Sequence, residues 1–279
     1  MVKRTACLIY VYGKKYAEIG KCALNSFKKH NPDVELYHVD DENVDNFKAA
    51  KYKNSAPGGS FKYMLAAELM LERGYEKVIV LGGDTITCSR LDEFLDDTEH
   101  DILATLDYPY RVSNYQGTYL CPDSETHLNA DVVCFNNVEP IIDILKICPN
   151  YPIYSEQGAL NSVVWSDEYN YSTRIVDGPY AESDVVYNAR AKGNITAGPG
   201  EKPWGEYTRK FYVEDGKLHT FDNKQIKVWH YCEGLGSVND FRFKQLINLW
   251  ISDWFNEDTK NFFKQHCACG DFFEKEFAF

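Results

Sequence analysis

The stretch Val78-Ile79-Val80-Leu81, running straight into Gly82-Gly83-Asp84-Thr85-Ile86, restricts the fold more than any other part of the chain. An uninterrupted apolar run rich in β-branched residues predicts a strand buried on both faces, as in a parallel sheet with helices above and below it. Two glycines and a single carboxylate follow at once. In open α/β sheets ligands sit beyond the carboxyl ends of the strands, and a strand end without Cβ atoms lets a ligand approach the backbone closely. The segment before it, Ser60 to Gly74, reads as a helix with Ser60 at the N-cap and Gly74 as its stop. The plainer reading of Gly82-Gly83-Asp84 is a turn, because such residues commonly follow strands.

The alternation continues along the chain. Residues 6–11 predict a strand, 16–30 an amphipathic helix ended by Asn31-Pro32-Asp33, and 34–39 a second strand. Further strands are expected over 77–81, 102–106 and 130–135, with helices over 140–147 and 157–164. The predicted architecture is α/β, with a mixed, mainly parallel central sheet flanked by helices. From 177 to 200 the apolar period fades into an irregular excursion. Short strands then follow near 211–213, 218–221 and 226–230, the first two joined by a turn at Asp215-Gly216. A last helix, over 238–255, carries the aromatic stripe Phe241, Phe243, Leu246, Trp250, Trp254, which reads as core.

The formal net charge of −12 argues against nucleic acid, whose binding requires clustered Lys and Arg. An anionic ligand therefore needs a local cation, either particular lysines or a divalent metal. The nine cysteines are scattered and lack paired zinc-type spacing, so reduced thiols are expected. No apolar run is long enough to span a bilayer, and the first residues lead into a strand instead of a signal peptide's apolar region. The expected location is the cytoplasm.

Taken in order, the segments up to about Gly236 resemble the family-eight, glycogenin-like glycosyltransferases of the GT-A fold. Lys14-Lys15-Tyr16-Ala17-Glu18 is similar to the family's first loop and helix start, and Phe61-Lys62-Tyr63-Met64-Leu65 to its Thr-Lys-Leu helix. Val78 through Ile86 resembles its strand and Asp-x-Asp-Thr motif, Leu128 to Asn136 its Phe-Asn-Ser-Gly-Val strand, and Glu156-Gln157-Gly158-Ala159-Leu160-Asn161 its Asp-Gln-Gly-Leu-Leu-Asn helix start. Val228-Trp229-His230-Tyr231-Cys232-Glu233-Gly234 is similar to its late His-x-x-Gly region. The resemblance implies a single GT-A, Rossmann-like transferase domain over 1–236, with a helical extension over 237–279 packed on it. It also implies transfer of a sugar from a nucleotide-diphosphate donor, UDP-linked, to a hydroxyl of a glycan or glycoprotein, assisted by Mn2+ or Mg2+.

The same resemblance assigns roles. Tyr16 meets the nucleotide base and Lys62 the phosphates, with Tyr10, Gly83, Asn129 and Gly234 also lining the nucleotide-sugar site. Asp107, Asp131, Glu156 and Gln157 serve the sugar and the chemistry, and Asp84 and His230 hold the metal. Three departures stand out. Gly82 replaces the first motif aspartate, which weakens a site that depends on carboxylate count. Asp131 stands where the family has Gly, adding a carboxylate that affects sugar choice or supplies a ligand. The Lys-Pro-Trp expected after the histidine is absent and occurs instead at Lys202-Pro203-Trp204, leaving Lys202, Lys227 or the amides near Gly234 and Gly236 as candidates for its phosphate contact. Simpler readings stand beside these. Glu156 serves equally as a helix N-terminal charge and Asn129 as a strand-end link. The alternative function is a non-catalytic sugar-nucleotide or glycan-binding relative. A nucleotidyltransferase or dinucleotide oxidoreductase would carry a Gly-rich loop after the first strand, where this chain has only Tyr12-Gly13-Lys14-Lys15.

Overall fold

The computed structural model of the protein describes residues 3–11, 14–56, 58–106, 127–150, 155–176, 184–187, 211–220, 223–230 and 256–266. Its central sheet has six strands, β1 (Thr5–Tyr10), β2 (Glu35–Val39), β3 (Lys77–Gly82), β5 (Ile102–Leu106), β6 (Leu128–Phe135) and β7 (Thr173–Ile175), in the order β2-β1-β3-β6-β5-β7. β1 is parallel to β2 and β3, and β5 to β7, whereas β6 runs antiparallel to both β3 and β5. The mixed, mainly parallel sheet agrees with the sequence pattern. The reversal of β6 has no signature in composition, because β6 is buried on both faces like its parallel neighbours.

Strand side chains alternate between two cores. Ala6, Leu8, Val78, Val80, Val133 and Phe135 point to one face. There they meet Phe61, Leu65 and Leu69 of α2 (Phe61–Arg73), Ile141 and Ile144 of α4 (Glu139–Ile147), and Leu160 and Val163 of α5 (Ser155–Trp165). Cys7, Ile9, Ile79, Leu81, Val132 and Cys134 point to the other, onto Ala23 and Phe27 of α1 (Lys14–His30) and Phe94 of α3 (Asp92–Asp96). Each fully buried Leu, Ile or Phe contributes about 1.5–3 kcal/mol, so the doubly covered strands β1, β3 and β6 anchor the sheet among the described residues.

Two smaller sheets lie beyond it. β8 (Val185–Val186), β11 (Gln225–Ile226), β10 (Lys217–His219) and β9 (Tyr212–Glu214) form one, in that order, and β4 (Thr85–Thr87) pairs with β12 (Val228–His230) in the other. Asp215 (φ 49°) and Gly216 (φ 70°) make the expected β9–β10 turn, both left-handed as a two-residue hairpin requires. The strand expected over 226–230 divides at Lys227, one half in each small sheet. Residue 227 is where the chain changes partners, its N–H going to Val186 (2.8 Å) and its carbonyl to Cys88 (2.8 Å). A sixth helix, α6 (Glu257–His266), is described near the C-terminus, while the helix expected over 238–255 lies outside the described residues. No helix among the described residues is long and apolar enough to cross a membrane.

Helix α2 ends as predicted. Gly74 has φ 72°, and the Tyr75 N–H returns to the Leu69 carbonyl at 3.2 Å. Its start differs from expectation. Ser60 closes a 3-10 turn over Gly58–Ser60 with helical φ −64° and ψ −18°, and makes no capping bond. An N-cap side chain reaches the first amides from extended backbone, which the preceding turn precludes.

Polar ties at the other end of β3 fix the sheet beneath the site. Lys77 is buried, and its ammonium donates to the carbonyls of Phe94 (2.6 Å), Leu95 (2.7 Å) and Asp97 (2.7 Å), satisfying the end of α3. The Asp97 carboxylate accepts the N–H groups of Glu99 (3.1 Å) and His100 (3.0 Å) and pairs with Arg174 (3.1 Å). Burial alone would raise the Asp97 carboxyl, but the bonds from His100, Arg174 and Glu99 outweigh it and hold it at about 2.

Replacing Lys77 by Met strands one buried and two partly buried carbonyls, so urea unfolding of Lys77→Met is expected to show about 2–4 kcal/mol less stability than wild type. Because the folded Asp97 carboxyl titrates below its ordinary 3.8, its contribution is complete above that value and is lost as pH falls towards about 2. Asp97→Asn is expected to flatten the stability-versus-pH curve across that interval, as read by denaturation at a series of acid pH values.

Candidate active site

The carboxyl ends of β1 and β3 lie side by side, with Tyr10 opposite Gly82 and the Tyr10 ring edge-on to Phe61 at 5.2 Å. Past Gly82 the chain turns through Gly83 and Asp84 into β4, and the Thr85 hydroxyl closes the turn by donating to the Gly82 carbonyl (2.7 Å). Gly82-Gly83-Asp84 is thus a turn, and it presents Asp84 at the carboxyl edge of the sheet. β4 pairs antiparallel with β12, setting His230 opposite Thr85. The pairing brings His230 Nε2 to 3.3 Å from Asp84 Oδ1, with the imidazole buried and the carboxylate partly open. Trp229 points to the opposite face of β12, where it packs on Phe263 of α6 (4.7 Å) and Phe211 (6.2 Å). His230 therefore stands on a strand clamped between β4 and an aromatic cluster.

A third group arrives from β6. The β5–β6 register jumps from Ala104↔Val133 to Thr105↔Asn129, so residues 130–132 form a bulge, a device that re-aims side chains at sheet ends. Polar side chains pin it. Thr105 donates to the Val132 carbonyl (2.9 Å), Tyr63 to the Ala130 carbonyl (3.1 Å), Gln157 Oε1 accepts the Ala130 N–H (3.2 Å), and Asn129 Oδ1 accepts the Asp131 N–H (2.8 Å). Asn161 locks α5 to the start of β6 through both the N–H (2.8 Å) and carbonyl (3.1 Å) of Leu128. The β3–β6 register ends at Leu81↔Val132, and its next step sets Asp131 across from Gly82. A Cβ at residue 82 would sit 2.5 Å from Asp84 Oδ1 and 3.1 Å from the Asp131 Cβ. The Asp84 carboxylate, with the Asp131 Cβ pressing from β6, occupies the space that a side chain at residue 82 would need.

Lys62, on the first turn of α2, is buried and pairs with Asp131, while Glu156 Oε1 lies 3.5 Å from its ammonium. Burial alone would lower the Lys62 ammonium, but Asp131, Glu156 and Asp84 outweigh it and raise it above its ordinary value. Glu156 also accepts the Gly59 N–H (3.1 Å), and a Cβ on Gly59 would clash with that carboxylate, its carbon 2.5 Å away. Three carboxylates thus converge on one buried lysine and one buried histidine.

Asp84, Asp131 and His230 each offer a ligand atom within 4.8 Å of the other two. Two carboxylate oxygens suit a hard divalent cation such as Mn2+ or Mg2+, and the imidazole nitrogen favours Mn2+ of the two. The residues present fit a divalent cation. Tyr10, Lys62, Gly83, Asp84, Asn129, Asp131, Glu156, Gln157 and His230 all belong to this end of the sheet, on the elements just described. Asn129 and Gln157 each turn their one side-chain oxygen to a β6 backbone N–H. Tyr16 lies on α1, but its side chain falls outside the described residues, as do Asp107, Gly234, Gly236 and Lys202. Lys227, a candidate for the phosphate contact, is engaged elsewhere. Its ammonium is buried against the Arg90 carbonyl (3.0 Å) and Asp92 (3.0 Å), tying β12 to the start of α3. Gly59 and the bulge in β6 escape sequence reasoning, since neither a close backbone approach nor a register jump marks the composition.

No protein-family model matches the chain, and no curated protein matches it. Among solved structures it is similar to the apo form of the WbbM bifunctional glycosyltransferase (TM-score 0.52, 16% identity) over 94% of this chain and 52% of that one. It is also similar to an active-site mutant of LgtC (TM-score 0.53, 16% identity), over 95% of each chain. The chain spans about half of the WbbM polypeptide. These likenesses establish the fold, which is that of GT-A glycosyltransferases.

The crowding at residue 82 is directly testable. Gly82→Ala forces Asp131 and Asp84 apart and is expected to lower stability by about 1–3 kcal/mol, as measured by urea denaturation. An unchanged midpoint would show that β3 and β6 separate there more easily than their packing indicates.

Proposed function

We propose that the protein is a glycosyltransferase that moves a sugar from a nucleotide-diphosphate donor, UDP-linked, to a hydroxyl of a glycan or glycoprotein. The observation that carries this reading is the Asp84, Asp131 and His230 group at the carboxyl edge of a GT-A sheet, with the Lys62 ammonium beside it. The principal barrier to such a transfer is the charge left on the departing diphosphate. A divalent cation held by Asp84, Asp131 and His230 would supply Lewis-acid charge at that point.

The other roles belong to the chain itself. Lys62 adds positive charge to the leaving diphosphate, in a buried setting where it counts for more than in water. Glu156 holds Lys62 from behind, and Gly82, Gly83 and Tyr10 leave the strand ends open to the donor. Asp131 takes the ligand role that residue 82 cannot fill. Gln157 and Asn129 keep the β6 bulge aimed at the sugar, and Asp107 and Tyr16 are assigned to sugar and base. Residues 1–236 make up the transferase domain and 237–279 an extension whose helix α6 supports β12. The buried free thiols Cys7, Cys22, Cys88, Cys134 and Cys148 suit a reducing compartment such as the cytoplasm.

The test is donor hydrolysis and transfer across a panel of UDP- and GDP-sugars, with Mn2+ and with EDTA. Diphosphate release from one donor is expected with Mn2+ and not with EDTA. Asp84→Asn and Asp131→Asn are each expected to lower kcat/KM by about 10²–10³. Turnover indifferent to EDTA and to both substitutions would sink the metal-assisted reading. Donor binding with no turnover, candidate acceptors present, would identify a sugar-nucleotide-binding relative instead.

A further inference from the structure

Asp131 has two claimants. It is the ion-pair partner of Lys62 and also one corner of the Asp84, Asp131 and His230 group. The Lys62 side chain is 9% exposed, whereas those of Asp131 and Asp84 are 35% and 24% exposed, so the carboxylates open outward and the ammonium closes them from behind. Glu156 cannot follow the ammonium if it moves. The Gly59 N–H holds its carboxylate, and the close approach of Gly59 leaves it no room on that side. A dication brought to Asp131 with the ammonium in place would share one carboxylate with a second cation at low local dielectric, where like charges repel strongly.

We propose that Lys62 is a resident occupant of the cation site, holding Asp131 until a donor diphosphate draws the ammonium away and frees the carboxylate for the metal. Cation and donor then bind cooperatively, and neither binds well alone. The arrangement prevents the site from filling with metal before there is a leaving group to stabilise. This inference rests on the reading of Asp84, Asp131 and His230 as ligands of a divalent ion.

The experiment measures Mn2+ binding to the full chain without donor, by the paramagnetic resonance signal of free Mn2+. Lys62→Met is expected to bind Mn2+ at least about tenfold more tightly than wild type, and Lys62→Arg, which keeps the charge, is not. A Lys62→Met variant that binds no more tightly, while Asp84→Asn and Asp131→Asn still abolish binding, overturns the inference and leaves the metal site standing. Binding unaffected by all of these substitutions overturns the metal site and the inference together. Should Lys62→Met fail to melt cooperatively, wild type decides the matter through acetylation of Lys62 by an amine-reactive ester, read by mass spectrometry. Labelling is expected to rise several-fold at saturating Mn2+ as the ammonium leaves Asp131, and unchanged labelling overturns the inference.

Discussion

The buried ammonium of Lys62 is the pivot of the sheet's carboxyl edge. Carboxylates from β6 and α5 meet there, a third from the β3–β4 turn stands close by, and without a cation among them that edge would be an uncompensated cluster of like charge. Removing one partner from such a buried group typically costs about 3–5 kcal/mol, because the other is left desolvated and unpaired. The interaction therefore does two things at once. It allows α2, α5 and β6 to pack together, and it keeps the acids at a spacing that a metal ion can use.

Backbone proximity sets the rest of the geometry. Gly82 lets the Asp131 side chain lie against β3, and Gly59 lets Glu156 lie against the turn before α2. In both places a carboxylate fills the volume that a side chain would otherwise take. The acidic groups are consequently held by the surfaces they touch as much as by their hydrogen bonds, and their positions depend on the register of β3 against β6 and on the bulge that ends it.

Much of this was legible in the sequence. The doubly buried strands announced themselves through unbroken apolar runs, Gly74 through its place after the last helical residue, and the β9–β10 turn through Asp215-Gly216. Asp84, Asp131, Glu156, Lys62 and His230 were identifiable from motif resemblance, and five segments of the chain bring them together. What was not legible is the nature of their contacts. The sequence of β6 reads as one straight strand, yet residues 130–132 lose their pairing with β5 while β3 still holds Val132, and Asp131 lies within that bulge. Ser60 read as a cap because its residue type suits one, but the preceding 3-10 turn had already fixed its backbone. Lys227 reads as available for phosphate, but Asp92 on a distant segment takes its ammonium. In each case a non-local contact overrode a local preference, and no window of neighbouring residues contains that information.

The clamping of Trp229 between Phe211 and Phe263 has a further consequence, which concerns the order of events during synthesis. The sheet core and the Lys62–Asp131 pair draw only on residues that leave the ribosome early. His230 gains the second half of its aromatic backing, Phe263, only when α6 emerges. A nascent chain thus passes through a stage in which the acids and the lysine are assembled but the histidine ligand is not yet seated. During that stage the Lys62 ammonium already pairs with Asp131 and lies beside Glu156, before the imidazole that completes the group is backed by α6.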